Sequence, residues 1–340
     1  MEKMISYAYQ QKQTKVLGFE VANSYVKGRS SIGRICYLNA VRERLKGEEV
    51  FGRRSKKSED LIFGYGDSFY TVGDPMESVF STARDIDRYS NHFYKLSSIL
   101  AITQLVDDGD QIKVTTGVPA NHYKNEQVSR YIQQALLGSH RVVVNGGIRR
   151  FEISDVEIIL QPLGTLFNLM VNDDGSYTEN GHDIETSRRK LIVDVGFGST
   201  DVAVLDGMTL LRYFTLNYSM VDAYKRILLE LGLTNQLKPL EIEQPLLSGD
   251  SIRYGGRIFE KPQVDEVKRK AFEILAQQIM GSLKGMESLD SFDYVIFTGG
   301  GVEALYEPLK SHLIGVPNAV KVSDSQSANS EGYYLYSLYT

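Results

Sequence analysis

Short apolar runs separated by glycines and small polar residues fill the first part of the chain and predict a meander of strands. The clearest runs are Val16–Phe19, Tyr25–Val26 and Ile35–Leu38. A Gly-Asp pair at residues 66–67 predicts the turn of a further hairpin. From Ser81 to Val106 the apolar positions recur at helical spacing, which predicts a helix after these strands.

The middle of the chain alternates between strand and helix patterns. Residues 112–123 predict a strand that runs into a loop, and Val128–Leu137 predict a helix. Residues 149–164 predict a hairpin or strand pair that ends at Gln161, with a helix from Thr165. This alternation is typical of an α/β fold.

The second half begins after residues 172–189, which are polar and predict a loop that crosses between the halves. Val264–Leu283 carry one apolar stripe and predict an amphipathic helix. A buried strand is predicted within residues 294–301, and a helix from about Val302 that Pro308 interrupts or restarts.

Two segments, residues 16–28 and 191–207, share one plan. Each has an apolar strand, an acidic residue, a turn of small residues and a second strand. Glu20 and Asp194 hold equivalent places in them. The repeat predicts two related α/β domains, each of which offers one hairpin turn to a common cleft.

The composition is that of an ordinary globular protein with room for two domains: 340 residues, 42% apolar and 24% charged. No run reaches the roughly 18 apolar residues of a membrane span, and no signal peptide is visible. The single cysteine, Cys36, excludes an internal disulfide and fits a reducing compartment. We therefore expect a cytoplasmic protein that does not contact membranes.

The net charge of −5 argues against broad electrostatic adhesion to nucleic acid. The basic clusters Arg53–Lys57 and Ser187–Lys190 are predicted to be solvated loop charges, with a partner contact as the alternative. The five histidines are scattered and predict no structural transition-metal site.

The hairpin turns have the character of a phosphate site. Tight turns of small residues direct several backbone N–H groups to one point, and glycine lets a phosphate approach the backbone. Carboxylates beside a phosphate would repel it unless a hard cation such as Mg²⁺ intervenes. The carboxylates that flank these turns are Glu20, Asp194 and Asp201. The sequence therefore predicts a triphosphate with Mg²⁺ between two hairpins.

A third motif, "FTGGGVEAL" at residues 297–305, is a buried strand that ends in three glycines and leads into a helix. Gly299, Gly300 and Gly301 permit close approach by the base and sugar of a nucleotide. The motif is not a Walker P-loop, because the G-x-x-x-x-G-K-[ST] pattern is absent. It is not a dinucleotide fingerprint, because the glycine spacing differs.

The order of these motifs resembles that of the actin, sugar-kinase and heat-shock-chaperone superfamily of ATPases. Within it, the chain looks most like the bacterial actin-like plasmid-segregation proteins of the ParM/StbA type, over nearly its whole length. The matching segments are "GFEVANSYVKG" for the first phosphate loop, "SFYTVGD" for a Y-x-V-G hairpin, "VTTGVPANHY" for a TGLP segment, "ILQPLGTL" for the hydrolytic Gln or Glu, "VDVGFGSTDVAV" for the second phosphate loop, "FTGGGVEAL" for the adenosine loop and "SQSANSEGYYLYS" for the closing helix.

This resemblance implies an α/β, actin-like ATPase fold in which two related α/β domains flank a nucleotide cleft. Domain I would comprise residues 1–170 plus 322–340, with the first phosphate loop, the Gln161 loop and the C-terminal helix. Domain II would comprise residues 171–321, with the second phosphate loop and the adenosine loop.

The resemblance also implies roles for individual residues. Asp194 would hold Mg²⁺ through water, with Glu20 as the second carboxylate, and would help to polarise the attacking water. Gln161 would position that water. The implied nucleotide-binding residues are Glu20, Asn23, Ser24, Tyr25, Lys27, Gly196, Phe197, Gly198, Ser199, Thr200, Asp201, Thr298, Gly299, Gly300 and Gly301.

The first phosphate loop departs from the family pattern at two positions. Glu20 stands where the family usually has aspartate, and Ala22 where it usually has glycine. The longer carboxylate is expected to displace the metal, and the added Cβ to narrow the turn. We expect ATP binding to survive both changes and hydrolysis to be slow.

The implied function is an ATPase whose head-to-tail filaments are stabilised by ATP, with GTP as the alternative nucleotide, and released by turnover. Its partners would be further copies of itself and an adaptor protein on centromere-like plasmid DNA, with no direct contact to nucleic acid. Two alternatives stay open: a sugar-type small-molecule kinase of the same fold, and a nucleotide-binding structural protein with weak hydrolysis. The tyrosine-rich C-terminus either packs inward or makes a subunit contact.

Overall fold

The structure is a computed structural model and describes residues 14–44, 61–73 and 85–340. Within these ranges, the strands form two large sheets and one small hairpin sheet. The basic cluster Arg53–Lys57 lies outside the described residues, as does the start of the helix predicted from Ser81.

The first sheet is built from strands of the N-terminal half. Its strands are β1 Lys15–Val21, β2 Tyr25–Ser30, β3 Gly33–Leu38, β4 Val41–Arg44, β5 Phe63–Tyr65, β6 Ser68–Val72, β7 Asp110–Val118, β8 Gly138–Val144 and β9 Gly147–Leu160. Their spatial order is β3-β2-β1-β7-β9-β8-β5-β6-β4. β1 is antiparallel to β2 and parallel to β7, so the first hairpin continues into a parallel α/β arrangement.

The second sheet repeats this arrangement with strands of the C-terminal half. Its strands are β10 Arg189–Val195, β11 Thr200–Asp206, β12 Thr209–Leu216, β15 Tyr294–Thr298 and β16 Asn318–Lys321, and β13 Ile252–Tyr254 with β14 Arg257–Phe259 forms the small hairpin. β10 is antiparallel to β11 and parallel to β15. The common plan confirms the prediction of two related α/β units.

Helices cover both sheets. They are α1 His92–Thr103, α2 Glu126–Leu136, α3 Gln161–Met170, α4 Gly181–Thr186, α5 Met220–Glu230, α6 Pro239–Ser248, α7 Lys261–Met286, α8 Val302–Lys310 and α9 Ala328–Tyr339, with a 3₁₀ turn at Ile86–Ser90 before α1 and another at Leu289–Ser291. The predicted amphipathic helix is the long α7, whose apolar stripe is buried in the core of the second sheet. In the described residues, no helix has the length and apolar character that a membrane span requires.

The C-terminal helix α9 packs inward on the first sheet and on α3. Its backbone approaches α3 so closely that a Cβ on Gly332 would lie 1.6 Å from the carbonyl oxygen of Gly164. Only glycine permits this contact. Tyr333 is fully buried beside it, whereas Leu338 and Tyr339 at the end of the helix are exposed. The core that joins the two sheets includes Ala120, Leu160, Leu166, Ile192, Ala203, Ile296 and Ala328.

Some predicted boundaries were wrong. Helix α3 begins at Gln161 rather than Thr165, because Pro162 occupies the first turn, where its fixed φ favours a helix and its missing N–H is not needed. Residues 172–189 are not only a loop, since they contain α4. Pro308 does not interrupt α8 but lies in its last turn.

The prediction of solvated charge at Ser187–Lys190 was also wrong for Lys190, which is fully buried. Its ammonium group donates to the Ser187 carbonyl just beyond α4 at 2.6 Å and to the carbonyl of Glu185, in the last turn of α4, at 3.3 Å. Burial lowers the pKa of Lys190. This lysine therefore ties the crossing segment to the sheet.

Candidate functional site

Two hairpin turns of equal length meet at one cavity. The β1–β2 turn and the β10–β11 turn each hold four residues between their last paired positions. The N–H of Ala22 donates to the Tyr25 carbonyl at 3.0 Å, and the N–H of Gly196 donates to the Ser199 carbonyl at 2.8 Å. The turns are thus equivalent in backbone geometry as well as in sequence position.

Alanine fits the first turn, although Ala22 stands where glycine is usual. Among the described residues, the non-glycine positions with positive φ do not include Ala22, so the turn does not strain it. At the equivalent position of the second turn, a Cβ on Gly196 would lie 3.0 Å from the Ser199 carbonyl oxygen, its nearest neighbour. Ala22 lines the cavity, where its methyl group takes up space.

The first hairpin holds a buried ion pair. Glu20 and Lys27 are directly opposite each other on β1 and β2, and Nζ of Lys27 donates to Oε2 of Glu20 at 3.0 Å. The other carboxylate oxygen accepts from Nε2 of Gln161 at 2.8 Å. Burial alone would lower the pKa of Lys27, but the charge and the hydrogen bond of Glu20 have the larger effect. The pKa of Lys27 is therefore raised. Lys27 is therefore charged, and Glu20 fixes both the lysine and the glutamine.

Asp194 holds the place of Glu20 in the second hairpin. It is 7% exposed, and its Oδ2 accepts from Nδ2 of Asn329 at 2.7 Å. Burial, and then the nearby Glu20 carboxylate, raise the pKa of Asp194 to about 7, although the Asn329 hydrogen bond lowers it.

Asp201 braces the second turn. It lies opposite Asp194 and accepts from Ser199 Oγ at 2.8 Å, from Thr215 Oγ1 at 2.6 Å and from the backbone N–H of Ala120 at 2.9 Å. Ala120 follows β7 of the first sheet, so this carboxylate links the two halves of the molecule. Burial raises the pKa of Asp201, while these hydrogen bonds lower it.

The backbone of the three-glycine motif packs against the carboxylate of Asp194. Gly299 has φ +89°, and a Cβ there would lie 2.3 Å from Oδ1 of Asp194. Thr298 before it is fully buried, and its hydroxyl shares a hydrogen bond with Thr165 of α3 at 2.8 Å. The amide oxygen of Gln326 lies against Gly300, at 1.9 Å from where a Cβ would be.

The cavity between the hairpins has a volume of about 160 Å³. The predicted site residues that line it are Asn23, Ser24, Lys27, Gln161, Phe197, Gly198, Ser199, Gly300 and Gly301. The others are not part of this lining: Glu20, Tyr25, Asp194, Gly196, Thr200, Asp201, Thr298 and Gly299. The Thr200 hydroxyl donates to the Tyr218 carbonyl at 2.7 Å, and the Tyr25 hydroxyl accepts from Gln244, so both hydroxyls have partners within the protein.

Sequence reasoning missed several polar side chains of the cavity wall, namely Arg88, Asn121, His122, Glu243 and Gln326. Glu243 is buried on the apolar face of α6 and accepts from the Tyr224 hydroxyl at 3.3 Å. Its Oε2 has no hydrogen-bond partner among the described residues, and burial raises its pKa to about 7. The sequence does contain a signal for Glu243, which is a carboxylate among the apolar positions of a helix. Such a group is seldom buried without a function.

Among the described residues, no group of three or more His, Cys, Asp or Glu side chains has the arrangement to hold a metal ion.

Both halves of the chain match family models of actin homologues. Residues 36–164 match a family model described as the N-terminal domain of actin-like proteins, and residues 192–311 match one described as archaeal actin homologue MreB-like, C-terminal. A search of curated proteins by sequence finds no match.

Solved actin homologues have the same fold over nearly the full length. The archaeal actin homologue Ta0583 in complex with ADP is 18% identical, with a TM-score of 0.74, over 96% of this chain and 100% of that one. The apo pSK41 ParM protein is 20% identical, with a TM-score of 0.70, over 95% and 96%. A 15-stranded ParM filament from Clostridium botulinum is 18% identical, with a TM-score of 0.72, over 95% and 98%.

The two family models together cover most of both sheets, and the solved homologues share the arrangement of the whole chain. The predicted actin-like fold is confirmed, and the two halves of the chain each match a family model of actin homologues.

Proposed function

We propose that the chain is an ATPase that binds ATP and Mg²⁺ between its two domains, polymerises head to tail and moves plasmid DNA through an adaptor protein. The observation that carries the proposal is the pair of equivalent hairpin turns at one cavity, each backed by a buried carboxylate. Domain I is residues 1–170 plus 322–340 and domain II residues 171–321. The packing of α9 on the first sheet supports this division.

The phosphates bind between the two turns. Backbone N–H groups of both turns and the side chains of Asn23, Ser24 and Ser199 act as donors. Lys27 adds a positive charge, and its ammonium group interacts with both the Glu20 carboxylate and the phosphates.

The nucleoside binds beside Gly300 and Gly301. The free oxygen of Glu243 accepts a hydrogen bond from a ribose hydroxyl, which satisfies an otherwise unpaired buried atom. The cavity is smaller than the roughly 300–1,000 Å³ of typical ligand sites, so the domains open and Gln326 shifts when ATP enters. GTP stays the alternative nucleotide.

The donor set fits Mg²⁺. Asp194 and Glu20 supply hard oxygen ligands, and they hold the same position in the two hairpins that meet at the cavity. Both would hold the ion through water. When bound, Mg²⁺ neutralises phosphate charge and allows these carboxylates to stand beside the triphosphate.

Gln161 orients the attacking water in this proposal, and Glu20 fixes its amide. We expect Gln161→Ala to slow ATP hydrolysis by about 100-fold, because a misplaced nucleophile loses the benefit of orientation. Mg-ATP affinity should change little. Phosphate release measures the effect, with Gln133→Ala on the exposed face of α2 as the matched control. Unchanged turnover in the Gln161 variant would remove this residue from the mechanism.

Filament formation is supported by a similar protein, the Clostridium botulinum ParM, whose structure is a filament. Closure of the cleft around ATP would favour a head-to-tail contact, and such a contact builds a polymer when its rotation does not close. Light scattering and pelleting test this directly. Mg-ATP should produce polymer that disassembles as ATP is consumed, whereas purely monomeric protein at all nucleotide conditions would contradict the proposal.

The sugar-type kinase is the weaker candidate. The sequence offers no clear catalytic carboxylate for a kinase apart from the candidate Asp201, and three hydrogen bonds already occupy that side chain. DNA contact through an adaptor rather than directly agrees with the net charge of −5.

A further inference from the structure

Arg88 is a cavity residue that neither the sequence motifs nor the proposed mechanism uses. It lies in the 3₁₀ turn before α1 and lines the cavity between the hairpins. Its Nη1 donates to Oδ1 of Asn23 at 2.8 Å, and its Nη2 donates to the carbonyl of Val21 at 2.7 Å. Two of its five N–H donors thereby fix the guanidinium to the first phosphate loop.

Within the described part of the chain, the positive charge of Arg88 has no carboxylate partner. Its contacts are an amide oxygen, a backbone carbonyl and the ring of Tyr89 at 5.3 Å, all of which are neutral. In the described ranges, no ion pair of Arg88 is formed, whereas Lys27 on the same wall is paired with Glu20. A guanidinium that is fixed, partly buried and unmatched in charge is suited to bind an anion from the cavity.

The neighbours of Arg88 lie near the proposed hydrolytic groups. The Tyr89 hydroxyl is 3.0 Å from Nδ1 of His122, which also lines the cavity. Burial raises the pKa of Tyr89 to about 12, with Arg88 lowering it and with Asp201 and Glu20 adding to the rise. Because Glu20 also holds Gln161, Arg88 belongs to the part of the wall where the terminal phosphate would react.

We propose that Arg88 binds the terminal phosphate of the nucleotide and so distinguishes ATP from ADP. This inference rests on the proposed function. Arginine suits the task because its remaining N–H groups form a rigid planar fork that can bind two phosphate oxygens, whereas a lysine ammonium is a point charge on a flexible stem. Arg88 is hydrogen-bonded to Val21 and Asn23, so a shift of its guanidinium when this phosphate binds or leaves would also move the first hairpin.

The test is calorimetric titration of the full chain with the magnesium complexes of ADP and of a non-hydrolysable ATP analogue. Arg88→Gln should weaken binding of the analogue at least about 10-fold and binding of ADP less than about 2-fold, because a charge-assisted contact to one phosphate is lost. Arg88→Lys should recover part of the loss. The matched control is Arg149→Gln, since Arg149 donates to the Thr103 carbonyl and does not line the cavity.

A second variant keeps the test independent of whether Arg88→Gln folds. Asn23→Ala leaves the arginine in place but removes one of its anchors together with the proposed Asn23 phosphate donor. Affinity for both nucleotides should therefore fall, and the preference for the analogue over ADP should fall by a smaller factor than in Arg88→Gln. The proposal would be overturned if Arg88→Gln weakened binding of both nucleotides equally. It would also be overturned if the ratio of the two affinities were unchanged in both the Arg88 and the Asn23 variants. If the unmodified chain binds neither nucleotide, the proposed function fails instead.

Discussion

Asp194→Asn is expected to reduce ATP turnover by at least about 100-fold while the fold persists. In the proposed mechanism, Asp194 holds Mg²⁺ through water and polarises the attacking water, and a neutral amide does neither. Groups that act on a proton of the nucleophile typically contribute 10²- to 10⁴-fold, on which the estimate rests. Phosphate release under saturating Mg-ATP measures the loss, and filaments should persist longer in this variant.

The same substitution is expected to stabilise the nucleotide-free protein. The pKa of Asp194 is raised from 3.8 to about 7, so the folded state binds the proton more tightly than the unfolded state does. The stability that the protonated carboxyl contributes is complete below pH 3.8 and is lost as the pH rises to about 7. The gain from asparagine should therefore grow over this window and level off above it, at up to about 4 kcal/mol.

Urea denaturation between pH 4 and pH 8, without Mg²⁺, measures this gain. Asp265→Asn, on the exposed face of α7, is the control and should change neither turnover nor the pH profile. Normal phosphate release by Asp194→Asn would contradict the role assigned to this carboxylate.

Lys27→Met is expected to lower the free energy of unfolding by about 3–5 kcal/mol. Lys27 and Glu20 are both buried, with side chains 8% and 5% exposed, and removal of one partner leaves the other charge uncompensated. The effect exceeds that of a surface ion pair, which is typically below about 1 kcal/mol. Denaturant titration at pH 7 measures the loss.

A double substitution separates the charge effect from the loss of packing. Glu20→Gln together with Lys27→Met removes both charges, and the amide can still face Gln161, so most of the lost stability should return. A single variant as stable as the unmodified protein would show that the buried ion pair does not form in solution.

The hairpins were predictable because their signal is local. Alternating strands, a turn of fixed length and an acidic residue at the strand end all lie within the 17 residues of segment 191–207, and the order of the motifs then indicated the fold. The start of α3 at Gln161 was missed because the preceding strand pattern continues up to it without a turn residue.

Partners of the site residues were not predictable in the same way. Asp194 is bonded to Asn329, 135 positions away, and Asp201 to the backbone of Ala120, 81 positions away. Such pairs depend on how two sheets and α9 pack, which no local pattern specifies. For the same reason, Glu243 and Arg88 had no sequence signal that connected them to the hairpins.

A crystal structure of the chain with Mg²⁺ and a non-hydrolysable ATP analogue would show whether the nucleotide binds between the two hairpins. We expect the phosphates between the turns that follow β1 and β10, with the metal and its waters beside Asp194 and Glu20 and the sugar next to Glu243. A nucleotide found elsewhere, or crystals that take up none at saturating concentration, would contradict this expectation.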